Sequence, residues 1–181
     1  MWGRIVAAMA TAALILGAAP AQAAIQNEFI STWDTENTST FSSDYKSLKL
    51  PIHSGGTYNF WVDWGDGTPA QNVTSWLDAT HTYAVAGEYT LHITGTFNGF
   101  QFNGVGDRLK LLNVSKWGPV ALGSGGNYFN GAENMTITAT DAPDLSGTTT
   151  LYGAFSDAKA LTGGISNWNT STVTDLSYAF D

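Results

Sequence analysis

The chain has 181 residues, no cysteine, and 15 Asp plus Glu against 7 Lys plus Arg, a formal net charge of −8. Without cysteine there are no disulfides, no thiolate metal sites, no Cys nucleophile and no lipid-bearing Cys. An acidic balance with no basic cluster argues against nucleic acid and anionic lipid, whose phosphates require Lys and Arg.

Residues 1–23 read as a signal peptide. Arg4 is a short positive region, Ile5 to Leu16 is apolar, and Ala21-Gln22-Ala23 fits a small-x-small cleavage site. The apolar run falls short of the ~20 residues of a membrane span, and no later stretch supplies one. Arg4 is the only charged residue of this segment, so its removal takes the net charge to about −9. An exported, cysteine-free chain must rely on its core, and an aromatic content of 13% suits that.

Asn27 to Thr40 reads as a lead-in strand and loop anchored by Ile30 and Trp33. Ser47 to Ile52 puts Leu48, Leu50 and Ile52 on one face, with Pro51 suggesting an edge. The central stretch is Tyr58–Thr68. Tyr58, Phe60, Val62 and Trp64 alternate with Asn59, Trp61 and Asp63, the period of a half-buried strand. Gly65-Asp66-Gly67-Thr68 then closes it with a tight turn. Residues 69–80 form a loop with a short strand at 73–77, and Tyr89, Leu91 and Ile93 mark another inward-facing strand. Asn98-Gly99 predicts a hairpin turn.

The second half repeats. Leu145–Phe155 set over Thr170–Phe180 gives five identities in eleven at a spacing of 25, and Phe129–Met135 resembles Phe155–Leu161 at 26. Such a period is that of a solenoid with one strand and one helical segment per unit. Val173, Leu176 and Phe180, at i, i+3 and i+7 after Thr170-Ser171-Thr172, predict a capped helix. Thr136–Ala139 reads as a strand, and Ile165 and Trp168 as inward residues. The array is incomplete at its C-terminal side, and the natural protein is expected to continue with further units.

The order WGDGT, THTY and AGEYTLHIT over residues 64–94 resembles the PKD domain. That resemblance implies a small immunoglobulin-type sandwich, a scaffold without chemistry, over 27–103. The pattern ISNWNTSTVTDLSYAF at 165–180 resembles the leucine-rich repeat of BspA-type bacterial surface proteins, which the array over 104–181 would follow. Leu176 and Ala179 stand where Met is usual there, and Asn169 where Asp is usual. The expected fold is therefore mainly β: a PKD-like sandwich, then a short α/β leucine-rich-repeat solenoid.

Among chemical sites, Asp63 and Asp66 are calcium candidates, since hard cations take clustered carboxylates; their other reading is a strand residue and a turn former. No other cofactor is expected. His53, His81 and His92 lack metal-ligand spacing, and His81 sits where the PKD-like motif has a structural His. No G-x-S-x-G elbow occurs, and nothing suggests the cleft that paired glycosidase carboxylates need, so the chain is read as a non-enzyme. Trp61 has outward parity. It either serves as an exposed contact for sugar or protein, or lies under the repeat array, the reading preferred here.

The function expected from these residues and resemblances is non-catalytic adhesion outside the cell. The partners would be extracellular protein or glycan, bound along the repeats near Ser166, Asn167 and Asn169. The alternative is a carbohydrate-binding or spacer module of a secreted hydrolase whose catalytic part is absent.

Overall fold

The computed structural model describes residues 27–181; the signal-peptide reading of 1–23 lies outside them. The described residues are mainly β, and no helix occurs among them. The strands are β1 (Glu28–Asp34), β2 (Ser47–Lys49), β3 (Ile52–Asp63), β4 (Gln71–Val73), β5 (Thr80–Thr82), β6 (Glu88–Phe100), β7 (Leu111–Lys116), β8 (Val120–Ala121) and β9 (Thr136–Ile137). One sheet runs β4-β3-β6-β1-β7-β9, with β8 paired to β6, while β2 and β5 form a second, two-stranded sheet. Neither sheet closes on itself, an arrangement consistent with a β-sandwich.

Alternation built this core as expected. Tyr58, Phe60, Val62 and Trp64 are buried, as are Leu91 and Ile93 opposite them, Leu48 of the smaller sheet, and Leu50 and Ile52 that follow it. Phe60 stacks on Phe97 with centroids 4.9 Å apart, and Tyr58 meets both rings edge-on. These aromatic contacts join one continuous hydrophobic cluster that also takes in Trp117, Phe129 and Phe155.

The short strand expected at 73–77 lies instead at Gln71–Val73 as β4, and three further local expectations need correction. The lead-in strand is central: β1 hydrogen-bonds to β6 on one side and β7 on the other. Its inward residues are Phe29, Ser31 and Trp33, so Ile30 faces outward and Phe29 replaces it as an anchor. Asn98-Gly99 does not turn but continues β6. Gly99 has a φ of 106°, and its carbonyl accepts the Tyr58 hydroxyl at 2.8 Å. A Cβ there would lie 2.9 Å from the Gly56 Cα, so the glycine serves close strand contact instead of a hairpin. The third correction concerns the helix expected over 173–180.

Residues 151–158 and 176–181 form successive turns, and the amides of 151–158 are divided between two uses. Leu151, Gly153, Phe155 and Asp157 donate to the carbonyls of Asp175, Ser177, Ala179 and Asp181, one unit away. Ala154, Ser156 and Ala158 donate instead to the carbonyl three residues back. An α-helix needs every amide for its own i−4 carbonyl, so this ladder excludes one over 151–158, and over 173–180 Val173 and Ala179 donate three residues back while Thr174 donates to Thr149. Left-handed residues at Gly153, Asp157 and Tyr178, with φ of 55°, 57° and 55°, interrupt any helical run. Apolar spacing alone did not separate the two outcomes.

The ladder also accounts for the repeat spacing. Phe129 stacks on Phe155 and Phe155 on Phe180, each at 5.4 Å. Asp144 Oδ1 accepts the Ser146 amide, and 25 residues on Asn169 Oδ1 accepts the Ser171 amide. This turn needs only a side-chain acceptor oxygen two residues before the amide. That is why Asn serves at 169 where Asp is usual in the repeat pattern.

Hydrogen bonding runs through the whole described chain. β7 lies on β1, β8 runs parallel to the end of β6, and β9 runs parallel to β7. Among the described residues no helix is long and apolar enough to cross a membrane.

Candidate functional site

Two surfaces carry the residues singled out in the sequence. The first is the outer face of the large sheet. β3 is held on both sides, with Trp61 in register with Asn72 of β4 and Thr94 of β6. The period of two that buries Phe60 and Val62 turns Trp61 outward, and it is 55% exposed. The repeat array therefore does not cover it, against the preferred expectation. The turns of the array stack onto the sheet's far edge through β7 and β9, and the face around β3 stays open.

A shallow depression beside Trp61 is lined by Glu28, Asp63, Ala70, His92 and Thr94. Glu28 and His92 come from neighbouring strands, and Glu28 Oε1 lies 2.9 Å from His92 Nδ1. Asp63 Oδ1 accepts the Gly65 amide at 2.9 Å. The outward parity of His92 was legible in the sequence. Its pairing with Glu28 required the β1–β6 register, which no local pattern specifies.

Asp66, the other calcium candidate, belongs to a separate cluster in the turn. Its Oδ1 accepts the amide and hydroxyl of Thr68, and its Oδ2 lies 2.8 Å from His81 Nε2. Burial pushes this carboxyl up, but the hydrogen bonds from Thr68 and His81 outweigh it and hold the group at about 2. His81 stacks on Trp64 at 5.1 Å and meets Tyr83 edge-on at 4.6 Å. Gly65 belongs to the same turn: φ is 78°, and a Cβ would collide with the Thr90 carbonyl. Asp63 and Asp66 thus each accept an amide two residues ahead. Among the described residues no three His, Cys, Asp or Glu side chains gather in a metal-binding group.

The second surface is that of the repeats. Ser166, Asn167 and Asn169 are exposed around the buried Trp168. Asn167 Nδ2 donates to the Thr140 carbonyl one unit back, and Asn169 caps its own turn. Both amides therefore also tie the backbone together. Exposed aromatics missed in the sequence reading lie nearby on the array. Tyr152 and Tyr178 meet edge to face at 5.6 Å, and Tyr178 has a left-handed φ of 55°. A bulky side chain rarely adopts that conformation. The signal available beforehand was position: both lie beside the Leu of their units, where the repeats otherwise carry Gly and Ser.

A buried charged cluster also escaped the sequence reading. Lys110 is fully buried, and its Nζ donates to the carbonyls of Ser43, Asp44 and Ser47 and to the Ser43 hydroxyl. Asp107 lies 3.6 Å away and accepts the amides of Ser43 and Lys49. Burial pushes the Lys110 ammonium below the ordinary lysine range, against the pull of Asp107. The cluster pins the 39–47 loop to the segment leading into β7.

Residues 124–181 match the family described as Mycoplasma protein of unknown function, DUF285. The match falls on the repeat-bearing part of the chain and is compatible with the BspA-type resemblance found there. No curated protein and no solved structure matches the chain.

Proposed function

We propose that this is an exported bacterial interaction protein, a PKD-like sandwich carrying a leucine-rich-repeat array of BspA type that binds extracellular protein or glycan without catalysis. The observation that supports it best is the lateral meeting of side chains one unit apart on the array surface, Tyr152 against Tyr178 at 5.6 Å. Stacked units of this kind present a long, shallow, periodic face, suited to extended partners and ill suited to enclosing a substrate. Tyr178 holds its ring outward from a strained backbone, and such outliers concentrate at functional positions. Ser166, Asn167 and Asn169 extend the exposed polar part of the same array. The apparent signal segment at 1–23 places the protein outside the cell in this reading.

The test is binding of the purified chain to an immobilised panel of extracellular-matrix proteins and mucin glycoproteins, followed by surface plasmon resonance. Tyr152→Ser combined with Tyr178→Ser is expected to weaken a detected interaction at least tenfold. Thr90→Ser, on the outward face of β6, is expected to leave it unchanged. Equal binding by the double variant would remove the array face from the account.

A further inference from the structure

We infer that the depression beside Trp61 is a carbohydrate subsite that takes an uncharged or amino-bearing pyranose and rejects an acidic one. Three features of the sheet lead there. The indole is more than half exposed, and the backbone that carries it is held because β3 is paired on both edges at that residue. A planar aromatic with only two side-chain torsions on a held backbone costs little conformational entropy when a flat ligand stacks on it. The apolar C–H face of a pyranose is such a ligand, with hydroxyls around its rim.

The rim of the depression is polar and made of short, oriented groups. Asp63 and Glu28 each bring a second carboxylate oxygen to the lining, and Trp61 brings an indole N–H. Their neighbouring atoms are fixed, since Asp63 Oδ1 holds the Gly65 amide and Glu28 Oε1 holds His92. Two oriented carboxylate oxygens, an imidazole and the Thr94 hydroxyl can bond sugar hydroxyls around one stacking plane. A protein-binding Trp is instead expected at the centre of a well-packed, desolvated patch, and among the described residues Ala70 is the only other apolar side chain in the lining. Charge sets the selectivity: two carboxylates in a chain of net charge −8 repel uronates and sialates. An amino sugar would gain an ion pair.

This inference does not depend on the array reading, which is tested at Tyr152 and Tyr178. The full chain is titrated with cellohexaose, the N-acetylglucosamine hexamer, the glucosamine hexamer and the galacturonate hexamer, following intrinsic tryptophan fluorescence. At least one of the first three is expected to change the emission saturably, and the galacturonate hexamer is expected to leave it flat. Trp61→Ala should reduce the affinity at least tenfold, Trp61→Phe less, and Asp63→Asn severalfold. Trp76→Ala, the control at another partly exposed indole, should not matter. Unchanged circular dichroism and thermal midpoint in each variant establish that the fold is intact. Three results overturn the proposal: no binding of the neutral and amino sugars, binding unaffected by Trp61→Ala, or equal binding of the galacturonate hexamer.

Discussion

Asp66 illustrates how a single side chain here does local structural work with a pH signature. Its carboxylate receives the Thr68 amide, the Thr68 hydroxyl and the His81 ring, which together lower its pKa from 3.8 to about 2. A carboxyl that is more acidic in the folded state stabilises the fold above its unfolded pKa, because the unfolded chain takes up the proton first. The contribution is complete above about pH 4 and disappears as pH falls through about 2. Its size is about 1–2 kcal/mol after allowance for solvent screening. Asp66→Asn is accordingly expected to lower urea stability by that amount at pH 7 and by far less at pH 2, checked by denaturation curves at both values. An equal loss at both pH values would assign the effect to the turn geometry alone.

At the scale of elements, the repeats are held by a ladder of rings and amides. Phe155 is sandwiched between Phe129 and Phe180 and is buried, whereas Phe180 is 63% exposed. Phe155→Ala should therefore cost about 3–5 kcal/mol, the range for truncating a buried aromatic. Phe180→Ala should cost about 1 kcal/mol, from one partly exposed ring contact. Chemical denaturation of the two variants compares them directly. Similar losses would show that the stack does not carry the stability of the array. The ladder also explains why Leu176 is exposed while Leu151, its counterpart 25 residues earlier, is buried: Leu151 is covered by the following unit.

At the scale of the molecule, residues 27–103 and the repeats share one sheet and one core. β7, from beyond residue 103, completes the hydrogen bonding of β1, and Trp117 packs on Phe29 at 6.1 Å. The buried Lys110–Asp107 cluster adds polar attachment at the same junction. Cutting the chain after residue 103 would expose an edge of β1 and strip the 39–47 loop of its buried partners. Residues 27–103 alone are expected to lose cooperative thermal unfolding or to melt well below the full chain, whereas 27–181 unfolds in one transition. Differential scanning calorimetry of the two chains decides this. A fragment as stable as the full chain would show that the sandwich is energetically independent.

The sequence by itself determined the short-range features. Period-two alternation identified the buried faces of β3 and β6, because a pleated strand bonded on both sides has no other way to place Tyr58, Phe60 and Val62. Gly65-Asp66-Gly67 specified its turn because glycine takes positive φ without steric cost and an Asp carboxylate accepts an amide two residues on. The 25-residue recurrence announced stacked units, since identical neighbours need identical side chains at the contact. Tertiary structure decided the rest. Whether Val173, Leu176 and Phe180 lie on a helix depended on long-range backbone bonding: the carbonyls of Asp175, Ser177, Ala179 and Asp181 accept amides of the adjacent unit, and Thr174 donates to Thr149 there. Asn98-Gly99 continued a strand because Tyr58 and Gly56 lie against it, and Ile30 faced outward because Phe29 and Trp33, at the opposite parity, took the core face. The open face around Trp61, with Glu28 and His92 brought beside it from separate strands, likewise follows from sheet order and register. Those are set by long-range pairing, to which no local pattern of residues gives access.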